Sequence, residues 1–356
     1  MLAFFYENLR SSEQEAIWKD DNQWVAQEKL NGCRLILHFI KGVGTFAHSR
    51  TVSKETHRRH SLGGHLLFSD LVSDFTATVD AEAIIDKPID TKPYTSSGGI
   101  TRSSLHSTAA VFHMGCEASK RLQVEQSAPI IVHAFDITNW QGTDLKRKPL
   151  CERLSYLADF RAAINLAQLD SWFAFPPIIF QDKKTFYDKV VSEGGEGVVL
   201  KNLNSCYEDS SSRRRDAWIK VKRQVEFDAF LSGFERGKPG GEWRNKVGCL
   251  IFSVKTERGD HPIAKVTNFP FVIRKRVSLY NQATNTVELS PNAYGRVATV
   301  SGFEIAQRSY RLSHPRILRW RGDLTQDQCV YGWDSIENGG WGKGISPLRI
   351  VRDCGV

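Results

Sequence analysis

Short apolar runs separated by polar turns dominate the chain. Residues 34–39, 77–85 and 130–137 are branched, apolar runs that predict strands. Within residues 149–163, Leu150, Leu154, Leu157 and Ala158 recur at helical spacing, and residues 183–193 repeat the pattern, so both segments predict helices. Two short strands follow at 197–200 and 217–221. Beyond about Gln224 the pattern changes: 226–234, 248–255, 263–268, 297–305 and 317–320 predict strands, interrupted by one helix at 271–282. Residues 48–54 read as a basic polar loop, 96–99 and 237–241 as glycine-bearing loops, and 338–344 as an irregular glycine-rich tail.

Five short strands with a single helix predict a small β-barrel of the oligonucleotide-binding (OB) type after residue 224. The 356 residues suit two domains, expected at 1–224 and 225–356. With 41% apolar and 25% charged residues, the composition excludes a disordered chain, a collagen-like fibre and a membrane bundle. The longest apolar stretches, 130–135 and 247–252, fall far short of the roughly 20 residues that span a bilayer. Residues 2–6 are apolar but have no basic segment before them and no small-residue cleavage site after, so no signal peptide is expected. The seven scattered cysteines form no CxxC pair, which argues against zinc and disulfides and for a reducing, cytoplasmic setting. Forty-eight basic against 40 acidic residues give a net charge of +8, which favours an anionic partner, nucleic acid first.

Six clusters carry candidate chemistry. Lys29-Leu30-Asn31-Gly32 precedes a strand; a solvated lysine is the ordinary reading, a lysine nucleophile the chemical one, and a nucleophilic amine must be neutral to attack. The next are Ser49-Arg50, the paired carboxylates Asp80 and Glu82 in a strand, and Ala134-Phe135-Asp136. The last two are Glu196-Gly197-Val198-Val199-Leu200-Lys201 and Lys220-Val221-Lys222. Alternation puts Lys220 and Lys222 on one strand face beside Trp218, where two like charges repel unless an anion lies between them. Each cluster alone is a common surface pattern.

Together and in order, the six resemble the covalent nucleotidyltransferase superfamily of ATP-dependent DNA ligases, RNA ligases and mRNA capping enzymes. Lys29-Leu30-Asn31-Gly32 is similar to the nucleophile motif KxDG, with Asn31 in place of its aspartate. Glu196 through Lys201 resembles EGxxxK, and Lys220-Val221-Lys222 resembles KxK. His314 to Asp323 resembles the closing motif of DNA ligases, RxDK: Arg321 and Asp323 match, and Leu324 stands where lysine is expected. With Lys29 so near the first residue, the resemblance is to the compact two-domain bacteriophage ligases of the podovirus type.

That resemblance implies an α+β fold: an adenylation domain of antiparallel sheets with flanking helices, followed by a small OB-fold barrel. It implies an ATP-dependent DNA ligase that seals 5′-phosphate/3′-hydroxyl nicks through a lysine-AMP intermediate and an adenylated DNA 5′ end. Lys29 would be the nucleophile. Lys220 and Lys222 would hold the α-phosphate, Glu82 and Arg34 the ribose (or, for Arg34, a phosphate), and Phe135 and Val199 the two faces of adenine. Gln27 would sit at the adenine edge. Arg50 would contact AMP or the 5′-phosphate, and Arg321 and Asp323 the departing pyrophosphate. Glu196, with Glu82, would bind Mg²⁺, for which Mn²⁺ would substitute. Nicked duplex DNA is the expected partner, with residues 102–128 and 282–296 as surface insertions that wrap it. A monomer with no membrane attachment is expected. An RNA ligase would share the lysine chemistry but would ordinarily lack the closing motif. A capping guanylyltransferase would charge Lys29 with GMP, and a simple nucleic-acid-binding module would need neither Lys29 nor Glu196.

Overall fold

A computed structural model describes residues 2–52, 57–96, 98–101, 103–208, 213–303, 305–306 and 309–337. The chain forms two compact units, Met1–Lys222 and Arg223–Val356. Among the described residues, no helix is long and apolar enough to cross a membrane.

The first unit contains two main sheets. The smaller runs, in order, Leu2–Phe5, Arg213–Lys222, Gly197–Asn202 and Trp24–Glu28. Its pairings are antiparallel except that Leu2–Phe5 runs parallel to Arg213–Lys222. Strand alternation sends Ala26, Val198, Leu200, Ile219 and Val221 into one core. The helices Ser11–Lys19 and Lys183–Ser192 cover that core with Ile17 and Val190. The opposite face carries Gln27, Val199 and Lys220 in one register row and Val25, Lys201 and Trp218 in the next.

The larger sheet is built from Arg59–Ser61, Gly44–Val52, Cys33–Ile40, Ala77–Ile84, Ile131–Trp140 and Thr143–Asp144. One face supplies Leu35, Leu37, Phe39, Val79, Ala81 and Ala83 to the main core. Phe160, from the helix Leu150–Leu166, is fully buried there against Phe39, Phe75 and Phe173. The other face carries polar and charged residues and becomes a wall of the site.

Two expectations for this unit are corrected. The basic stretch after His48 is no loop: Gly44–Val52 is a strand paired with Cys33–Ile40, and residues 53–56 lie outside the described residues. Residues 103–128 are not a wrapping insertion. They form the helices Ser104–His113 and Cys116–Glu125, which bury Val111 and Leu122 in the main core, and the Ile85 amide donates to Thr108 Oγ1 at 2.8 Å. Arg102 itself lies outside the described residues.

The second unit is an antiparallel five-stranded sheet ordered Gly259–Val266, Val247–Thr256, Val225–Arg236, Val297–Gly302 and Arg316–Arg321. Phe227, Leu231, Phe252, Val254 and Val300 fill its core. This is the expected OB-type unit, and the chain as a whole is α+β. The expected helix at 271–282 stops at Val277 because Ser278 Oγ donates back to the Arg274 carbonyl at 2.7 Å and accepts the Val247 amide at 2.9 Å. The chain then turns into a hairpin of Ser278–Asn281 with Thr286–Leu289. Val287, Leu289 and Ala293 anchor this segment in the core, while residues 279–286 at its tip are exposed. A second helix, Trp333–Glu337, closes the described part of the unit. Residues 338–344 lie outside it.

Candidate active site

The polar faces of the two sheets in the first unit bring the motif residues together. Lys29 follows directly on Trp24–Glu28, and its amide donates to the Gly197 carbonyl at 2.8 Å. Lys222 lies opposite Gly197 in register. Glu196 therefore sits between two lysines: Lys29 Nζ donates to Oε2 at 2.6 Å, and Lys222 Nζ pairs with Oε1. Burial works against the Glu196 carboxylate, but the two ammonium groups outweigh it and hold its pKa below the ordinary value. Gly197 is required here. Its φ is +129°, and a Cβ would lie 2.1 Å from the Val221 carbonyl oxygen.

Lys220 shares the face of Lys222 two residues away, with its Nζ 3.6 Å from the centre of the Phe5 ring. Gln27 and Val199 lie in the same register row. The Gln27 amide is fixed at both ends: Nε2 donates to the Pro176 carbonyl at 3.2 Å, and Oε1 accepts from Lys201 Nζ. Lys201 is buried between the rings of Phe135 and Trp218, 4.7 and 4.4 Å from their centres, and also donates to the Phe135 carbonyl at 3.1 Å. Burial pushes its pKa down to about 7, even with Asp136 and Asp80 nearby.

The larger sheet supplies the opposite wall. Arg34 stands beside Glu82 in register and reaches Asp80 with two donors, Nε to Oδ1 at 2.8 Å and Nη2 to Oδ2. Its guanidinium lies 5.6 Å from both the Phe135 and Trp218 rings. Tyr207 donates to Asp80 Oδ2 at 2.7 Å. Burial opposes the Asp80 charge, yet Arg34 and Tyr207 hold its pKa below the usual carboxylate value. Glu82 is placed differently. Burial pushes its pKa up to about 7, against the pull of Lys29 and Arg34. Arg50 feels Arg34, Asp80 and Glu82, which places it on the same wall. Behind that wall, Arg153 and Asp136 form a fully buried pair at 2.8 and 2.9 Å. Arg153 also donates to the carbonyls of Lys148 and Ser205, at 2.7 and 2.9 Å.

The first unit thus gathers Gln27, Lys29, Arg34, Arg50, Glu82, Phe135, Glu196, Val199, Lys220 and Lys222 at one cleft. Arg321 and Asp323 lie in the second unit. There Arg321 bonds to Asp323, with Nε to Oδ1 at 2.7 Å, and to Asp228 at 2.9 Å. Sequence reasoning did not single out Tyr207 or Arg153. An aromatic residue within the polar run 204–212, and an arginine on the buried face of a helix, were the available signals.

The carboxylates of Glu196 and Glu82 offer only oxygen donors. Among the described residues no third acidic, His or Cys side chain joins them in a metal cluster. Such a set fits a hard cation completed by substrate phosphates and water.

The sequence profile of the ATP dependent DNA ligase domain family matches residues 1–222. The chain is similar to the DNA ligase of Nitrosopumilus maritimus, 24% identical over 262 residues, which is 70% of this chain and 40% of that protein. It is also similar to the DNA ligase of Methanoculleus marisnigri, 24% identical over 323 residues, 87% of this chain and 53% of that protein. It therefore spans about half the length of these curated relatives. Among solved structures it resembles one of the Lig E DNA ligases, with a TM-score of 0.53, 19% identity, and coverage of 90% of this chain and 98% of that one. At that identity the likeness establishes the fold.

Proposed function

The chain belongs to the ATP dependent DNA ligase domain family, and from that premise we propose that it seals 5′-phosphate/3′-hydroxyl nicks in duplex DNA. Lys29 is the nucleophile. Its Nζ attacks the α-phosphorus of ATP, the bond to pyrophosphate breaks, and AMP stays on the lysine. The AMP then passes to the 5′-phosphate of the nick, and the 3′-hydroxyl displaces it. The observation that carries this reading is Glu196 held between Lys29 and Lys222 at the mouth of the cleft. An incoming triphosphate competes with that carboxylate for both amines.

Lys220 and Lys222 neutralise charge on the α-phosphate oxygens as they pass through the transition state. Phe135 and Val199 take the two faces of adenine, with Gln27 at its edge. Arg34, clamped by Asp80, and Glu82 hold the ribose side. Arg50 contacts AMP or the 5′-phosphate, and Arg321 with Asp323 orients the departing pyrophosphate. Glu196 and Glu82 would hold Mg²⁺, which supplies charge neutralisation on the phosphates when bound. Manganese would substitute.

The compact two-unit plan is supported by the 98% coverage of the Lig E chain. The podovirus affinity rests on Ser49-Arg50 and on the closing stretch from His314 to Asp323. In the same reading the protein acts as a cytoplasmic monomer. The closing stretch is also what favours DNA over RNA as the substrate.

The test is incubation with α-labelled ATP and α-labelled GTP, followed by denaturing electrophoresis and peptide mapping. The expected label is AMP on Lys29, absent from Lys29→Ala, and that variant still binds nicked duplex. A Lys29→Ala protein that still carries covalent AMP refutes the assignment, and label from GTP alone turns it into a guanylyltransferase.

A further inference from the structure

On the site face of the smaller sheet, Lys201 is a buried lysine that none of the roles above uses. It stands on the same strand face as Val199, and Gln27 lies opposite Val199 in register. Gln27 and Lys201 are each 3% exposed. Lys201 Nζ donates to Gln27 Oε1, and Gln27 Nε2 donates to the Pro176 carbonyl at 3.2 Å. Lys201 is itself pinned, by the Phe135 carbonyl at 3.1 Å and by the rings of Phe135 and Trp218.

These partners decide which end of the Gln27 amide is oxygen. A carbonyl only accepts, so the end facing Pro176 is the amino group. Lys201 Nζ has a hydrogen for each of its two oxygen partners whether it is an ammonium or a neutral amine. Turning the amide over always sets Oε1 against the Pro176 carbonyl oxygen. Whenever Lys201 is charged, it also sets the amide hydrogens against the ammonium. The site is buried, so water does not repair either clash. One N–H and one lone pair of Gln27 are left for a ligand.

A glutamine free to turn does not tell adenine from a 6-oxopurine such as guanine or hypoxanthine. Adenine offers its N6 amino hydrogens beside a bare ring nitrogen, whereas a 6-oxopurine offers O6 beside N1–H. A free amide bonds either edge at both positions simply by turning over. The fixed amide does not. Its oxygen suits N6–H and its N–H suits the bare ring nitrogen, while O6 and N1–H would meet like with like.

We infer that Lys201, with the Pro176 carbonyl, sets the base specificity of this site by holding Gln27 in the one orientation that takes adenine and rejects 6-oxopurines. Lys201 is a positioning residue: it acts through Gln27 and touches no reacting atom. This rests on the ligase reading above, in which the base enters between Phe135 and Val199 with Gln27 at its edge. No covalent bond forms or breaks.

The experiment labels Lys29 with three α-labelled triphosphates that differ only along that edge: ATP, the purine riboside triphosphate that lacks the 6-amino group, and inosine triphosphate. The rate of adduct formation is read as kcat/KM. In the parent the purine riboside triphosphate should fall about tenfold below ATP, for one lost hydrogen bond. Inosine triphosphate should fall lower still, on the order of a hundredfold or more below ATP, because both remaining groups of Gln27 are opposed. A free amide predicts the reverse order for these two, so the parent alone tests the fixed amide. Lys201→Met keeps the length and apolar contacts of the side chain but donates nothing. It should shrink the ATP-to-inosine ratio by about tenfold, whereas a merely structural lesion lowers both rates together. Lys201→Arg keeps a donor and should hold the parent's ratio. Where a variant no longer labels, the same ratio is read from nucleotide affinity, by quenching of tryptophan fluorescence. Inosine triphosphate at or above the purine riboside triphosphate in the parent overturns the fixed amide. A parental ratio in Lys201→Met, or one in Lys201→Arg as low as in Lys201→Met, overturns the role of Lys201. A parent that takes label from none of the three overturns the ligase reading, and this inference with it.

Discussion

Tyr207→Phe removes one oxygen and keeps the ring that packs against Trp218 at 6.3 Å and lies 5.8 Å from the Arg153 guanidinium. The lost group donates at 2.7 Å to Asp80, a carboxylate with no exposed surface. A hydrogen bond to a charged group contributes about 1.5–3 kcal/mol, and water cannot reach Asp80 to replace it. The two donors of Arg34 remain, so a loss of about 2 kcal/mol is expected. For a unit of this size that lowers Tm by roughly 4–8 °C. Urea unfolding followed by tryptophan fluorescence measures it directly, with an unchanged denaturant slope. The pH dependence provides a second check. Asp80 has a depressed pKa, so its contribution is full above the unfolded carboxylate value and is lost as pH falls through the folded one. The gap between parent and variant should therefore be widest near neutrality and close in acid. Arg34, less firmly held, should raise KM for ATP more than it lowers kcat. A gap below about 0.5 kcal/mol at neutral pH, or one that widens on acidification, would refute the account of Asp80 as a charge clamped from both sides.

Arg321→Ala should slow ATP-dependent self-adenylation on the order of a hundredfold, yet spare sealing of a nick adenylated beforehand, because pyrophosphate leaves only in the first step. An equal drop in both assays would make Arg321 a DNA contact or a structural link to Asp228. Arg153→Ala leaves Asp136 buried and uncompensated and should cost about 3–5 kcal/mol, read as a fall in Tm of roughly 6–20 °C. The paired change Arg153→Met with Asp136→Leu should recover most of it, and a double variant no better than the single one contradicts the pair's role. Gly197→Ala forces a side chain against the Val221 carbonyl at positive φ and should cost at least about 2 kcal/mol along with the Lys29 label. A variant with parental stability and labelling would show that the strand yields there.

The chemical centre was legible in the sequence because six short motifs, each ordinary alone, stand in an order that resembles the covalent nucleotidyltransferases. Alternation put Lys220 and Lys222 on one face, and the apolar run from Gly197 to Leu200 read as a strand. What connects distant segments was not legible. Tyr207 reaches Asp80 across 127 residues, and nothing local to either marks the other. Arg153 was hidden for a related reason: a charged residue on a helix reads as solvent-facing until the fold supplies a buried carboxylate. The strand through His48 was missed because its outward face is polar and basic, the ordinary pattern of a loop, while its inward residues such as Ala47 are small. The helix at 271–277 was drawn too long because Ser278 ends it through a side-chain bond that composition does not reveal.

The register of the smaller sheet has a consequence for how this chain tolerates change. Ile219 and Val221 are buried by the same alternation that exposes Lys220 and Lys222 to the cleft, and Val198 and Leu200 are bound to Val199 and Lys201 in the same way. Substitution at one of these positions touches one face. An inserted or deleted residue would exchange both faces at once along the rest of the strand, putting ammonium groups in the core and aliphatic chains on the face that now carries the lysines. Libraries that vary the letters of these strands can sample graded activities, whereas libraries that vary their length should return only intact or dead proteins. Lineages carrying this sheet should accordingly place their length differences in the segments between the strands.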